Sequence, residues 1–413
     1  MIKKVPVSAL KPGMFIHDFN CAWRDDNPFP KQLLLKKSTQ ISYIRQQGLK
    51  ELYIDTAKGL DVPNAPTAQE VHADLAAQIM ELGDAPAPPP PAKFSSMEKE
   101  LTRAAEVKKH ARKLVGNVLE DARLGKQVAI GPVRNVVEGM VESMFSNQNA
   151  MLSLGQLKQR DEYTFLHSVN VGVFLMSFCR GLQMDEETII DVGVGALLHD
   201  IGKMRTPQEV LNKPGKLSDD EFMIMRKHVE FSHDILSETE GVSQEALDVA
   251  GQHHERYDGS GYPHKLKGDQ ISLFGQMSAL VDVYDAITSD RCYHKGMPPH
   301  VALRKMLEWS KHHFDLNLYH SFVRCVGIYP IGTLVVMENG LMGVVIQSNQ
   351  ESLLHPIVNV IYDTAKNRPL TPEIMDLLEY REKGSGYKIR HEESPARWKI
   401  DPKAFMPKPE LFQ

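Results

Sequence analysis

Hydrophobic patterning divides the chain into three stretches. Up to about residue 60, short apolar runs around Val5–Val7, Met14–Ile16, Gln32–Leu35 and Leu52–Ile54 predict strands. Thr39–Gln47, closed by Gly48, predicts one short helix. The stretch APAPPPPA at 85–92 cannot be helical, because proline lacks an amide donor and fixes φ, so it reads as a stiff spacer. Helical periodicity then governs the chain to about residue 325, opening with a long charged helix from Ser96 to Leu124 and another from Pro132 to Phe145. From Ile331 the pattern changes again. TLVVMENGLMGVVIQ sets β-branched residues around an Asn339-Gly340 turn, which predicts a hairpin, and Val358–Tyr362 predicts a third strand. The C-terminal tail is polar and is expected to be loosely held.

The organisation implied is an α/β module at 1–84, a Pro-rich linker at 85–93, connecting helices at 94–149, a helical domain at 150–330 and a β extension with a polar tail at 331–413. No internal repeat is visible.

Within the helical stretch, His and Asp residues fall at helix-length intervals: His167, His199-Asp200, His228, His253-His254 and Asp282. A helix capped by Asp161 would place His167 on one face with Tyr163, Asn170, Val171 and Phe174. The next helix starts near Asp185, ends at His199 and Asp200, and is closed by Gly202. Ser218 and Glu221 form a capping box for a helix running through Phe222, Met225, Val229 and Leu236, with His228 near the buried side and His233 turned to solvent. The His253-His254 pair ends a helix that begins near Ser243. Asp282 lies between Val281 and Val283 in an apolar helix, where a buried carboxylate needs a partner. Asp285 is read as a structural hydrogen-bonding residue.

Each of these residues has an ordinary reading as well. A lone inward histidine is usually a hydrogen-bonded core residue, a histidine pair suits a helix C-terminus, and an HD dipeptide arises often by chance. The whole series outweighs those readings. No thiol joins it, so a structural zinc knot is not expected, and mixed imidazole and carboxylate ligands suit a hydrolytic site with two first-row divalent metals.

Composition narrows the classes. With 413 residues, 42% hydrophobic and 24% charged, the chain matches ordinary soluble globular proteins. The net charge of −5 argues against polymeric nucleic acid as a partner but allows a local cationic pocket. Cys21, Cys179, Cys292 and Cys325 are scattered and read as reduced thiols. The N-terminus has no signal-peptide core, and no apolar run is long enough to span a membrane, so a cytoplasmic protein is expected.

HDIGK at 199–203, KPGKLSDDEF at 213–222, HHERYDGSGYP at 253–263 and DVYDAITSDRCY at 282–293 together resemble HD-GYP domains, bacterial metal-dependent phosphodiesterases that act on cyclic di-GMP. The resemblance covers roughly residues 150–330. It implies a mainly α, HD-superfamily helical bundle, preceded here by a small α/β module and followed by a short hairpin-containing extension. The N-terminal segment resembles a domain of unknown function that often precedes HD-GYP domains, and a role in partner binding or dimerisation is open to it.

Carried over by position, the resemblance implies that His167, His199, Asp200 and Asp282 hold one metal. Asp200 bridges to a second, completed by His228, His253 and His254. Lys203 and Arg291 correspond to phosphate-contacting residues. The family often has another basic residue where this chain has His294, with Lys295 beside it. Some members hold a third metal through a glutamate four residues before the first histidine. That position is Tyr163 here, so two metals are expected and Tyr163 is kept as a candidate substrate contact. Gly261, Tyr262 and Pro263 match the signature loop and carry two readings, loop shaping and substrate contact.

The chemistry implied is hydrolysis of cyclic di-GMP to pGpG, and onward to GMP, by a metal-bridging hydroxide, with Asp200 and Lys203 as catalytic residues. Five imidazoles among seven ligands favour Fe, Mn, Co, Ni or Zn over Mg, and the family points to iron or manganese. Two alternatives stay open: an HD-superfamily nucleotidase acting on another phosphoester, and a non-catalytic cyclic di-GMP-responsive interaction module.

Overall fold

The structure, a computed structural model, describes residues 1–22, 28–84, 97–156, 163–290, 296–349, 351–381 and 386–409. Helices dominate, with a small antiparallel sheet toward each end of the chain. The Pro-rich spacer at 85–92 and the Asp161 cap lie outside the described residues.

The chain forms two compact units, 1–78 with 213–222, and 79–212 with 223–413. In the first unit, β1 (Ile2–Pro6), β2 (Phe15–Asp18), β3 (Leu33–Leu34), α1 (Ser38–Gln46) and β4 (Glu51–Asp55) follow the alternating runs closely. The sheet order is β1-β4-β2-β3, all antiparallel, with Val5 opposite Leu52. Val5, Ile16, Leu35, Ile44, Leu52 and Ile54 form its core, and Gly48 ends α1 at φ +80°. Lys216, within 213–222, donates from Nζ to the Phe29 carbonyl. Residues 213–222 were expected to belong with the helical domain; their packing places them with the β-module instead.

α2 (Ala68–Glu81) begins in the first unit and ends in the second. The second unit continues with α3 (Met97–Arg123), α4 (Ile130–Ser146), α5 (Gln148–Gln156), α6 (Tyr163–Gly181), α7 (Glu186–Leu198) and α8 (Gln208–Leu211). α3 and α4 were expected as connectors, but they pack on each other and against α6 and α7, inside the helical domain. α6 is buried on all sides from His167 to Cys179, not on one apolar face, which makes it the central helix of the bundle.

α9 (Asp219–Arg226) and α10 (His228–Ser237) are separate helices, where one was expected. α9 does carry the Ser218/Glu221 capping box, but none of its side chains is fully buried, so Phe222 and Met225 only half cover their surroundings. α11 (Gln244–Gln252), α12 (Leu273–Thr288), α13 (Pro299–Ser310) and α14 (Leu316–Val326) complete the bundle. Asp185, Ser243, Ser272 and Asp315 cap α7, α11, α12 and α14 by accepting from backbone amides.

The C-terminal sheet has β5 (Leu334–Met337), β6 (Leu341–Gln347), β7 (Ile357–Asp363), β8 (Arg368–Asp376) and β9 (Ile389–Glu392), in the order β8-β7-β6-β5-β9. The Asn339-Gly340 hairpin joins β5 to β6. It is tied to the bundle by Asn149, which donates to the Ser348 carbonyl and accepts from its amide. The tail is less loose than its polarity suggested: β9 pairs with β5 at the opposite edge from β8, α15 (Pro395–Trp398) follows, and Met406 is buried.

Candidate metal centre

The bundle brings together all seven residues of the His/Asp series. His167, from α6, has its Nε2 3.0 Å from Asp282 Oδ1 of α12. His199 caps the C-terminus of α7, Asp200 follows it, His228 opens α10, and His253 caps the C-terminus of α11 with His254 next. All seven are buried.

Ligand atoms converge in three overlapping groups, His167-His199-Asp282, His199-Asp200-His253 and His228-His253-His254, each with its atoms within 4.8 Å of one another. Asp200 lies between the outer two. Its Oδ2 is 3.4 Å from His199 Nε2 and 4.0 Å from His167 Nε2, while its Oδ1 is 3.4 Å from His228 Nε2 and 3.9 Å from His253 Nε2.

The helix ends explain how the imidazoles are aimed. The last carbonyls of a helix have no intrahelical partner. His199 Nδ1 lies 2.7 Å from the Ala196 carbonyl, His228 Nδ1 2.7 Å from that of Met225, and His253 Nδ1 2.9 Å from that of Ala250. A carbonyl can only accept, so each Nδ1 carries the proton and each Nε2 turns a lone pair inward. Those three Nε2 atoms are buried and have no hydrogen-bond partner among the described residues. Fixed on one nitrogen and open on the other, such imidazoles fit metal ligation. His167 is held differently: its Nδ1 lies 2.8 Å from Oδ2 of the buried Asp285, which also accepts from Ser289 Oγ.

Burial and neighbouring charges shift the candidate ligands in different directions. Burial lowers the pKa of His199, and takes His228 to about 4 with help from the Lys203 charge. Burial and neighbouring histidines take His253 and His254 well below the usual histidine value. Burial also opposes the charge on Asp200, but Lys203 and the surrounding imidazoles hold it well below the usual carboxylate range. For His167, burial is outweighed by the hydrogen bonds to Asp282 and Asp285, and its pKa rises to about 9.

Gly202 was expected to close α7. Instead it lies in a 3-10 turn, Ile201–Arg205, where a Cβ would meet the His228 carbonyl at 2.0 Å and the Ser232 amide at 2.4 Å. The segments carrying Asp200 and His228 therefore touch backbone to backbone, which only glycine permits. Lys203, on the same turn, is half-buried and donates to Asp200 Oδ2 at 2.6 Å.

The signature loop is anchored by a residue the sequence reading passed over. Buried Glu255 accepts from the amides of His264 and Leu266 at 2.7 and 3.0 Å. Its position directly after the histidine pair was the available signal. A Cβ at Gly261 would lie 2.4 Å from the Arg256 amide, so the chain passes tightly over Glu255. The Tyr262-Pro263 peptide bond is cis. Tyr262 donates its amide to the His254 carbonyl at 3.1 Å, and its ring lies 4.7 Å from the His254 ring, inclined by 26°.

Tyr163 opens α6, but its side chain lies outside the described residues, as do Arg291, His294 and Lys295. The segment bearing the last three is bounded by residues held to the end of α12: the Gly296 amide donates to Asp290 Oδ1 and the Met297 amide to the Ile287 carbonyl. No described helix is long and apolar enough to cross a membrane. Cys21, Cys179 and Cys325 are buried, while Cys292 lies outside the described residues.

Comparison with known proteins gives the chain's family. Residues 141–318 match the HD domain family, and residues 2–133 match a domain of unknown function, DUF3391. The chain is 40% identical, over 91% of its length and 89% of the relative's, to the cyclic di-GMP phosphodiesterase PA4108 of Pseudomonas aeruginosa. The chain belongs to the HD-GYP phosphodiesterase family. Another relative, 3'3'-cGAMP-specific phosphodiesterase 1 of Vibrio cholerae, is 37% identical over 42% of this chain and 39% of its own. A solved structure, the HDG"Y"P protein Bd1817 of Bdellovibrio bacteriovorus, is 16% identical, with a TM-score of 0.46 over 78% of this chain and 98% of that one.

Proposed function

We propose that this HD-GYP phosphodiesterase hydrolyses cyclic di-GMP to pGpG, and onward to GMP, at a centre of two divalent metals. The observation that carries this reading is Asp200, whose two carboxylate oxygens face two different sets of imidazoles. His167, His199 and Asp282 would hold one metal and His228, His253 and His254 the other, with Asp200 in reach of both sets. Two cations held there would lower the pKa of a bound water and neutralise charge on the phosphoryl oxygens. Iron or manganese suits the donors and the family best, with cobalt, nickel and zinc also compatible.

The chain's own residues do the rest. The imidazoles of His199, His228 and His253 are held in the neutral form, leaving each Nε2 lone pair free to ligate. Lys203 places an ammonium beside Asp200 Oδ2 on the exposed side of the cluster, where a phosphoryl oxygen accumulates charge. We assign Arg291 to the same phosphate; support comes from its segment being tied to the helix that bears Asp282.

Relatives are named for both cyclic di-GMP and 3'3'-cGAMP, so the deciding assay offers each nucleotide to protein loaded anaerobically with iron or manganese and follows products by chromatography. Linear pGpG is expected from cyclic di-GMP. Asp200→Asn is expected to lower the rate at least about a thousandfold, since it weakens both halves of the site. Absence of metal-dependent product from cyclic di-GMP at any loading would sink the assignment.

A further inference from the structure

The signature tyrosine has been open to two readings, and the packing around it favours a third. We propose that Tyr262 is a positioning residue for His254, and that Arg226 holds Tyr262 in place. The inference rests on the metal reading above and adds a role for two residues outside the ligand set.

Four of the five imidazoles turn Nε2 to the centre and are fixed through Nδ1, three by helix-end carbonyls and one by Asp285. His254 turns the other nitrogen inward: its Nδ1 lies 3.9 Å from Asp282 Oδ2. A helix-end carbonyl cannot then set this ring through Nδ1. The Tyr262 ring lies nearly parallel to it, with centroids 4.7 Å apart and planes 26° apart, and so limits how the His254 ring can turn.

Tyr262 is itself constrained. Its amide donates to the His254 carbonyl, and the preceding Gly261 runs tightly over the buried Glu255. The Arg226 guanidinium carbon lies 4.7 Å from the Tyr262 ring centroid, a cation–π distance. Arg226 ends α9, two residues before His228. The contact therefore runs from the segment bearing His228, through Tyr262, to His254, and those two histidines share one candidate ligand group. A ring that spans two ligand-bearing segments sets the orientation of one imidazole relative to the other, and such outer contacts tune metal affinity.

The test compares wild type with Tyr262→Phe, Tyr262→Leu and Arg226→Gln. In metal-free protein carrying labelled histidine, the ring protons of His254 are expected to show the upfield shift produced by an adjacent aromatic face. Phe should keep that shift and Leu should lose it. Manganese titration should then show two sites in wild type and in the Phe variant, at least a tenfold weaker second site in the Leu variant, and an intermediate loss in Arg226→Gln. A Leu variant that leaves the His254 shift unchanged overturns the proposal, as does one that binds both ions normally and only raises KM for cyclic di-GMP. Because the shift is read without metal, failure of wild type to bind manganese would count against the metal reading alone.

Discussion

At the scale of single residues, the site depends on which nitrogen of each imidazole keeps its proton. Helix-end carbonyls decide this for His199, His228 and His253, and a carboxylate decides it for His167. Asp285→Asn keeps an acceptor of similar size but removes the charge that makes His167 a stronger base. The expected outcome is a 10–100-fold loss of affinity for the metal that His167 would hold, read by competition with a chelating indicator. The convergence of the seven His and Asp side chains was legible in the sequence, because their spacing repeats at about helix length. The division of labour between Asp282 and Asp285 was less so. They sit one turn apart on α12, and only the docking of α6 settles that Asp282 meets Nε2 while Asp285 meets Nδ1.

At the scale of elements, close approach matters more than propensity. Gly202→Ala would force a methyl group into the His228 carbonyl, and neither backbone can yield without moving a candidate ligand. A loss of stability of roughly 3 kcal/mol or more is expected, measured by denaturant unfolding, together with loss of metal uptake. Nothing local in HDIGK announced that crossing; the glycine looked like an ordinary helix stop. Local chemistry did announce the capped helix starts at Asp185 and Ser243, the Ser218/Glu221 box and the Asn339-Gly340 turn. It gave no warning that α9 and α10 separate at Lys227. β8 escaped notice because RPLTPEIMD is an exposed edge strand with two prolines and shows little hydrophobic alternation.

At the scale of the whole molecule, acid should be destabilising for a reason outside the metal centre. His300, on α13, is buried, and burial together with the nearby Arg304 charge takes its pKa to about 3. An unfolded chain protonates this imidazole near 6.5, while the folded chain keeps it neutral until about 3. Between those values the unfolded state holds more protons, so stability falls as pH falls, by about 1.4 kcal/mol per pH unit from this one group. Urea unfolding of wild type and His300→Asn from pH 7 to pH 4 should show a shallower decline in the variant. Equal slopes would remove His300 from the account.

The fold also limits how the molecule can be cut. A fragment starting after the Pro-rich spacer appears, from chain order, to contain an intact helical domain. Residues 213–222 would then be stranded, because Lys216 and its neighbours belong with the β-module whose Phe29 carbonyl accepts a hydrogen bond from Lys216. That orphaned stretch runs straight into the turn that delivers Arg226 and His228. Shortened versions of this protein therefore should not be read as a catalytic half minus a sensor, since the excision removes the foothold of a segment that leads to the candidate ligand His228.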